Sequence, residues 1–111
     1  MKRNKYGNRK TSGYDSKKER DRAFELKMLE RKGVISELKE QVKFELIPAQ
    51  YKVINGKRTC IEKSCSYKAD SVYVDEKKNF IVEDAKGFKT EVYKIKQKLM
   101  LQVHGIRIKE T

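Results

Sequence analysis

The sequence predicts a single small α/β (α+β) domain, a mixed central β-sheet flanked by two helices, and three observations carry that prediction. Hydrophobic periodicity runs helix, strands, helix, strand along 111 residues with no repeat, a length that supports one core and not two. Tyr67–Asp75 and Phe80–Gly87 are rich in β-branched and aromatic residues and are joined by a short polar segment, the pattern of a β-hairpin. After that hairpin a helical pattern leads to a further apolar run, a β-α-β crossover that makes the flanking strands parallel and right-handed.

Residues 1–14 mix Gly, Asn, Ser and Thr with many Lys and Arg, which predicts a flexible basic arm before a domain at 15–111. Ser16 with Glu19 three residues on has capping-box spacing and Gly33 supplies a stop, placing the first helix at 17–32. Ala23, Leu26 and Leu29, joined by Phe24 and Met28, form its apolar stripe. Val34–Leu38 and Gln41–Ile47 follow as strands, the second alternating Val42, Phe44 and Leu46 against Lys43 and Glu45, and Pro48 ends it. Asn55-Gly56 between Tyr51–Ile54 and Thr59–Ile61 predicts a second hairpin. Thr90 caps a helix over 91–103 with Val92, Ile95, Leu99 and Val103 on one face, Gly105 closes it, and Ile106–Ile108 reads as a last short strand.

The formal charge is +12, from 28 basic and 16 acidic residues, and residues 1–22 alone carry nine Lys or Arg against three Asp or Glu. Such an excess predicts attraction to a polyanion, with DNA the leading partner; a basic surface kept for solubility is the alternative. No apolar run is long enough to span a membrane and no signal-peptide pattern begins the chain, so a cytoplasmic protein is expected. Cys60, Cys65 and His104 are too few for a four-ligand zinc site without carboxylates, and both thiols are expected reduced, in loops.

Asp70 and Asp84 lie fourteen residues apart, on strands that the hairpin sets side by side. Alternation places Asp70 with Val72 and Val74, and Asp84 and Lys86 with Val82 and Phe80, so these charges face the apolar side, where they need a partner or a metal. Glu83, by the same parity, is expected to point outward as a surface carboxylate. Glu19 lies on the apolar stripe four residues before Ala23; it either joins the other acids or only completes its capping box. Mg²⁺ prefers oxygen ligands and is commonly held by one or two carboxylates plus a phosphate. Asp70 and Asp84, with the backbone carbonyl of Ala85 and with Glu19, are the candidate ligands, with Mn²⁺ able to substitute. Lys86 is the candidate to orient water or neutralise the phosphate. Lys94 and Lys98, at i, i+4, either contact phosphates or form a solvated helix face. Arg9, Lys10, Lys17 and Lys18 are the further candidates for DNA contact, and Tyr93 reads as packing.

Glu19 on a first helix, Asp70 on a strand and Asp84-x-Lys86 on the next strand resemble the PD-(D/E)XK nuclease superfamily. More closely, Asp15–Glu19, Gln41–Pro48, Tyr67–Asp70, Val82–Gly87 and Tyr93–Lys98 resemble a small phage- and prophage-borne family of it, long catalogued as a domain of unknown function. The resemblance implies a restriction-endonuclease-like core and Mg²⁺- or Mn²⁺-dependent DNA cleavage. It implies metal binding at Asp70 and Asp84, a metal or water role for Glu19 and catalysis by Lys86. Ala69 stands where the superfamily's name has proline, a position that shapes backbone and donates no ligand. With no recognition domain in the sequence, a structure-directed endonuclease acting on branched DNA such as a Holliday junction is expected, as a homodimer by analogy with resolvases. A nicking or end-processing phage nuclease and a non-catalytic basic DNA-binding protein are the competing expectations.

Overall fold

The computed structural model describes residues 16–85 and 89–111; the arm at 1–14 and Lys86 lie outside them. Helix α1, Lys17–Arg31, begins where the capping box places it, with the Ser16 hydroxyl accepting from the Glu19 N–H at 3.1 Å. The chain turns at Gly33, whose φ of +79° suits glycine, and enters β1, Ser36–Ile47. The two strands expected across 34–47 are therefore one long strand. It runs antiparallel to β4, Cys65–Val74, and between them the chain makes a ribbon of β2, Gln50–Ile54, and β3, Lys57–Glu62. Asn55 (φ +52°) and Gly56 (φ +77°) form the tight turn of that ribbon, the left-handed pair that an Asn-Gly turn favours.

β5, Phe80–Asp84, pairs antiparallel with β4, and β6, Lys109–Glu110, runs parallel to β5, giving a mixed four-stranded sheet of order β1-β4-β5-β6. Helix α2, Glu91–Leu99, capped by the Thr90 hydroxyl on the Tyr93 N–H, supplies the crossover. It continues into a π-helical turn, Met100–His104, that ends at Gly105 (φ +69°).

Consecutive strand residues point to opposite faces. Val72 and Val82 pack with Tyr93, Met100 and Ile108 beneath α2, whereas Tyr73 packs with Leu26 and Ile35 beneath α1. The sheet thus has a helix over each face. That double cover overturns the outward placement of Glu83, which is 1% exposed: with both faces buried, parity separates two interiors and not inside from outside.

The second helix differs from the sequence reading in which side it buries, and the first only in the width of its buried stripe. On α1, Ala23 and Leu26 are buried, but Phe24 and Met28 are each 52% exposed. Tyr93 of α2 and Met100 of the π-helical turn face the sheet, while Val92 and Ile95 of α2 face solvent. That helix carries two apolar stripes, and the choice is made by anchors at its ends. The Tyr93 hydroxyl donates to Glu110 at 3.0 Å, and His104 Nε2 lies 2.7 Å from the Glu45 carbonyl with its ring edge-on to Phe44.

Leu26→Ala should cost about 2–4 kcal/mol in urea denaturation and Phe24→Ala under about 1 kcal/mol, because only the first empties a core site. Equal costs would show that α1 is rotated from the orientation described.

Candidate active site

The site forms where β4 and β5 part. Their register pairs Ser71 with Glu83, so one further step sets Asp70 opposite Asp84 at the end of the ladder. There the Ala85 N–H donates to Asp70 Oδ2 at 2.9 Å, fixing the Asp70 carboxyl against the start of the following segment. On the other side of Asp70, between the pairs Glu40–Ser71 and Val42–Ala69, lies Gln41 of β1, with a φ of +55°. A non-glycine residue in the left-handed region is strained by an amount on the order of 1–2 kcal/mol, and such strain gathers at functional sites. The Gln41 amide Nε2 donates to Glu19 Oε1 at 3.2 Å, joining α1 to the site.

Three carboxyls from three elements therefore meet: Glu19 of α1, Asp70 of β4 and Asp84 of β5. Glu19 is 8% exposed, Asp84 2%, and Asp70 is partly open to solvent. Burial pushes the Asp70 carboxyl up, the neighbouring Asp84 adds to this, and a hydrogen bond shared with Glu19 and one donated by the Ala85 N–H only partly oppose it, leaving it at about 6. Asp84 Oδ2 accepts from the Tyr67 hydroxyl at 2.6 Å, and burial together with that bond holds the phenol far above its ordinary value, so Tyr67 remains a donor. Among the described residues, no three His, Cys, Asp or Glu side chains stand in a metal-coordinating arrangement. The Tyr67 hydroxyl and the Ala85 N–H engage Oδ2 of Asp84 and Oδ2 of Asp70, respectively.

Beside Tyr67 a hollow of about 260 Å³ is lined by Lys68, Thr90, Tyr93 and Lys96. Two lysines thus flank the Asp84 side of the site. The buried hydroxyl of Tyr93 is committed to Glu110, which also takes the Lys89 ammonium at 2.8 Å.

Glu83 faces α1 with its charge intact. Arg22 Nε and Nη2 donate to its two oxygens at 2.5 and 3.0 Å and the Tyr73 hydroxyl donates at 2.6 Å, while Arg22 also pairs with Glu25. Burial alone would raise Glu83, but the guanidinium and the phenol outweigh it and hold the carboxyl below its ordinary value. Because Arg22 follows Glu19 by three residues, this clamp sets the turn of α1 that presents Glu19.

The structure brings together Glu19, Asp70, Asp84 and Ala85. Lys86, Arg9 and Lys10 lie outside the described residues. Lys17 and Lys18 are exposed on the first turn of α1, Lys94 pairs with Glu91 at 3.3 Å, and Lys98 is exposed. Gln41, Tyr67, Arg22, Glu83 and Tyr73 are the residues that sequence reasoning missed. One signal was present: Arg22, Leu26 and Leu29 fall at i, i+4 and i+7, so a cation sits on the buried stripe and requires a partner.

Residues 3–109 match the model of the family described as "Protein of unknown function (DUF1064)". The chain belongs to that family. No curated protein and no solved structure matches it. Across the described residues no helix is long and apolar enough to cross a membrane.

Arg22→Ala leaves Glu83 buried without its cation and should cost about 3–5 kcal/mol at pH 7. With Arg22 gone burial raises Glu83, so that cost should shrink as pH falls through the ordinary carboxyl range and Glu83 takes up a proton, which urea titrations at pH 7 and pH 3.5 will read. Asp70 behaves oppositely. Its folded value of about 6 exceeds the ordinary 3.8, so its charge destabilises the metal-free fold as pH rises from about 4 to about 6. Asp70→Asn should therefore be more stable than wild type at pH 8, by about 1–2 kcal/mol after solvent screening, and not at pH 4; a constant difference across that range would contradict the shift.

Proposed function

We propose that this chain is a Mg²⁺-dependent DNA endonuclease of the PD-(D/E)XK type with a restriction-endonuclease-like core, directed to branched DNA in phage DNA metabolism. The observation that carries the reading is the meeting of Glu19, Asp70 and Asp84 from α1, β4 and β5, with the Asp70 carboxyl raised to about 6. Acids pressed together in a partly buried place repel one another, and a divalent cation relieves that repulsion. The donor set fits Mg²⁺, since it is all oxygen and two carboxylates suffice when waters and a substrate phosphate complete the shell.

In this reading Asp70 and Asp84, with the backbone carbonyl of Ala85, would hold the cation, their carboxyls kept in place by the Tyr67 hydroxyl and the Ala85 N–H. Bound there, Mg²⁺ supplies an activated water and stabilises charge on the phosphorus and the leaving oxygen. Tyr67 orients Asp84, and Gln41 orients Glu19, which accepts a proton or anchors a water. Lys86 follows Asp84 by two residues and neutralises the phosphate, helped by Lys68 and Lys96 from the hollow beside Tyr67. The charge of +12 brings the polyanion, and a two-fold junction suits a homodimer.

Supercoiled plasmid and a synthetic four-way junction, each with Mg²⁺, with Mn²⁺ and with chelator, test the proposal. Cleavage should need the metal and fall at least about 100-fold in Asp84→Ala and Lys86→Ala. Symmetric cuts in the junction alone would establish resolution, and plasmid nicking would move the enzyme to end-processing. Mg²⁺ at about 100 times its Kd should also stabilise wild type by about 2.7 kcal/mol and leave Asp84→Ala unmoved. Absence of any cleavage with both metals would sink the enzyme reading.

A further inference from the structure

The β2–β3 ribbon takes no part in the site described above. Its strands pair with each other in a separate two-stranded sheet and pack mainly on each other. Every residue from Gln50 to Lys63 is exposed, Val53 at 72%. The radius of gyration of 17.4 Å exceeds the roughly 13 Å of a compact 100-residue domain. An arm of this kind gains little from folding against the domain, so its residues are free to serve a partner.

The pairing register specifies what that partner meets. Tyr51 lies across from Cys60 and Val53 from Arg58 on one face, while Lys52 lies across from Thr59 and Ile54 from Lys57 on the other. Both faces therefore combine cations with β-branched or aromatic side chains. With Lys63 and against Glu62, residues 50–63 carry a net charge of +3. The Arg58 guanidinium lies 3.8 Å from the centre of the Tyr51 ring, a stacked geometry that holds the planar cation in place before any ligand arrives. Both strands also present a free edge of backbone donors.

We infer that the β2–β3 ribbon is a DNA-docking arm that enters a groove of the duplex, its two basic faces turned toward the phosphates on either wall. The inference rests on the proposed nuclease reading and adds the element that holds the substrate. The major groove admits a two-stranded ribbon, and both of its walls are lined with phosphate. A ribbon with cations on only one face would suit a flat anionic surface, and one with an uninterrupted apolar face would suit a second protein. This ribbon has neither pattern. A second copy is disfavoured further because two arms of net +3 repel each other. Tyr51, Val53 and Ile54 then serve as apolar contacts for sugars and thymine methyls, between cations that fix the depth of insertion.

The arm is joined to the site by continuous chain. Asp70 lies five residues into β4 from Cys65, and the turn at Gly56 lies fourteen residues before Asp70. Extended chain of that length reaches at most about 50 Å, so the arm and the acids lie within about one and a half turns of duplex at about 34 Å per turn. One duplex can thus meet both the arm and the acids.

Equilibrium binding of a 20-base-pair duplex in chelator, measured by fluorescence anisotropy over a series of salt concentrations, tests the inference without cleavage. Relative to wild type, Lys52→Ala/Lys57→Ala/Arg58→Ala should bind more weakly by at least about 30-fold at 150 mM salt. Its log–log salt slope should be shallower by about 2.7, which is 0.9 for each of three phosphate contacts. Each single lysine change should remove about 0.9 of slope. These side chains are exposed, so melting temperatures should match wild type, and cleavage at saturating DNA should keep its rate while KM rises. Wild-type affinity and slope in the triple variant would overturn the arm and leave the nuclease proposal standing. A wild-type protein that neither binds nor cuts DNA would overturn both. A variant that keeps its DNA affinity but changes from dimer to monomer in sedimentation would reassign the ribbon to contact between copies.

Discussion

The buried carboxylate of Glu83 is the constraint on which the arrangement depends. It lies in the middle of the sheet at 1% exposure and keeps its charge because Arg22 grips both oxygens and Tyr73 adds a third donor. An ion pair taken out of water adds little net stability over an apolar pair of similar volume, but it tolerates no other partner. What it contributes here is position. Arg22 can reach Glu83 only when α1 lies over the face of β4 and β5 that carries Tyr73, and that placement sets Glu19, one turn earlier, beside Asp70.

A second layer of order surrounds the acids. Tyr67 from β4, the Ala85 N–H just beyond β5 and the Gln41 amide from β1 each spend a donor on one of three neighbouring carboxyls. Each acid is therefore held by a group from a different part of the chain, and burial, with Asp84 adding to it, keeps the Asp70 carboxyl raised. The left-handed backbone at Gln41 belongs to the same economy, since strain persists only where its surroundings overdetermine it. The β4–β5 ladder ends here while β1 and β4 stay paired beyond it, and the polar cluster opens at the rim of an apolar interior.

The two ends of the long β1 and β4 strands serve different purposes. Near Ser71 and Glu83 the strands are covered by helices on both faces and build the core. Beyond Ile47 and before Cys65 the cover stops, and the chain continues as a ribbon whose side chains face water. Charge follows the same division: carboxyls gather where burial sharpens their electrostatics, and cations dominate the exposed arm.

Local chemistry determined much of this from sequence alone. The Ser16 cap with Glu19, the Asn55-Gly56 turn, the Thr90 cap and the Gly105 stop each depend on residues within a few positions of one another, and all lie where the sequence places them. The meeting of Asp70 with Asp84 was legible for a related reason, because a short hairpin leaves little freedom of register. Glu83, Tyr67, Gln41 and the outward stripe of α2 were decided only by tertiary structure. Periodicity states which residues share a face and not what covers that face. A sheet with helices on both sides makes each parity an interior, and a helix with two apolar stripes is oriented by the anchors at its ends. Parity alone marks Glu83 as a surface acid, and the cation that lets it stay buried stands sixty-one residues away on α1, a separation that no local pattern spans.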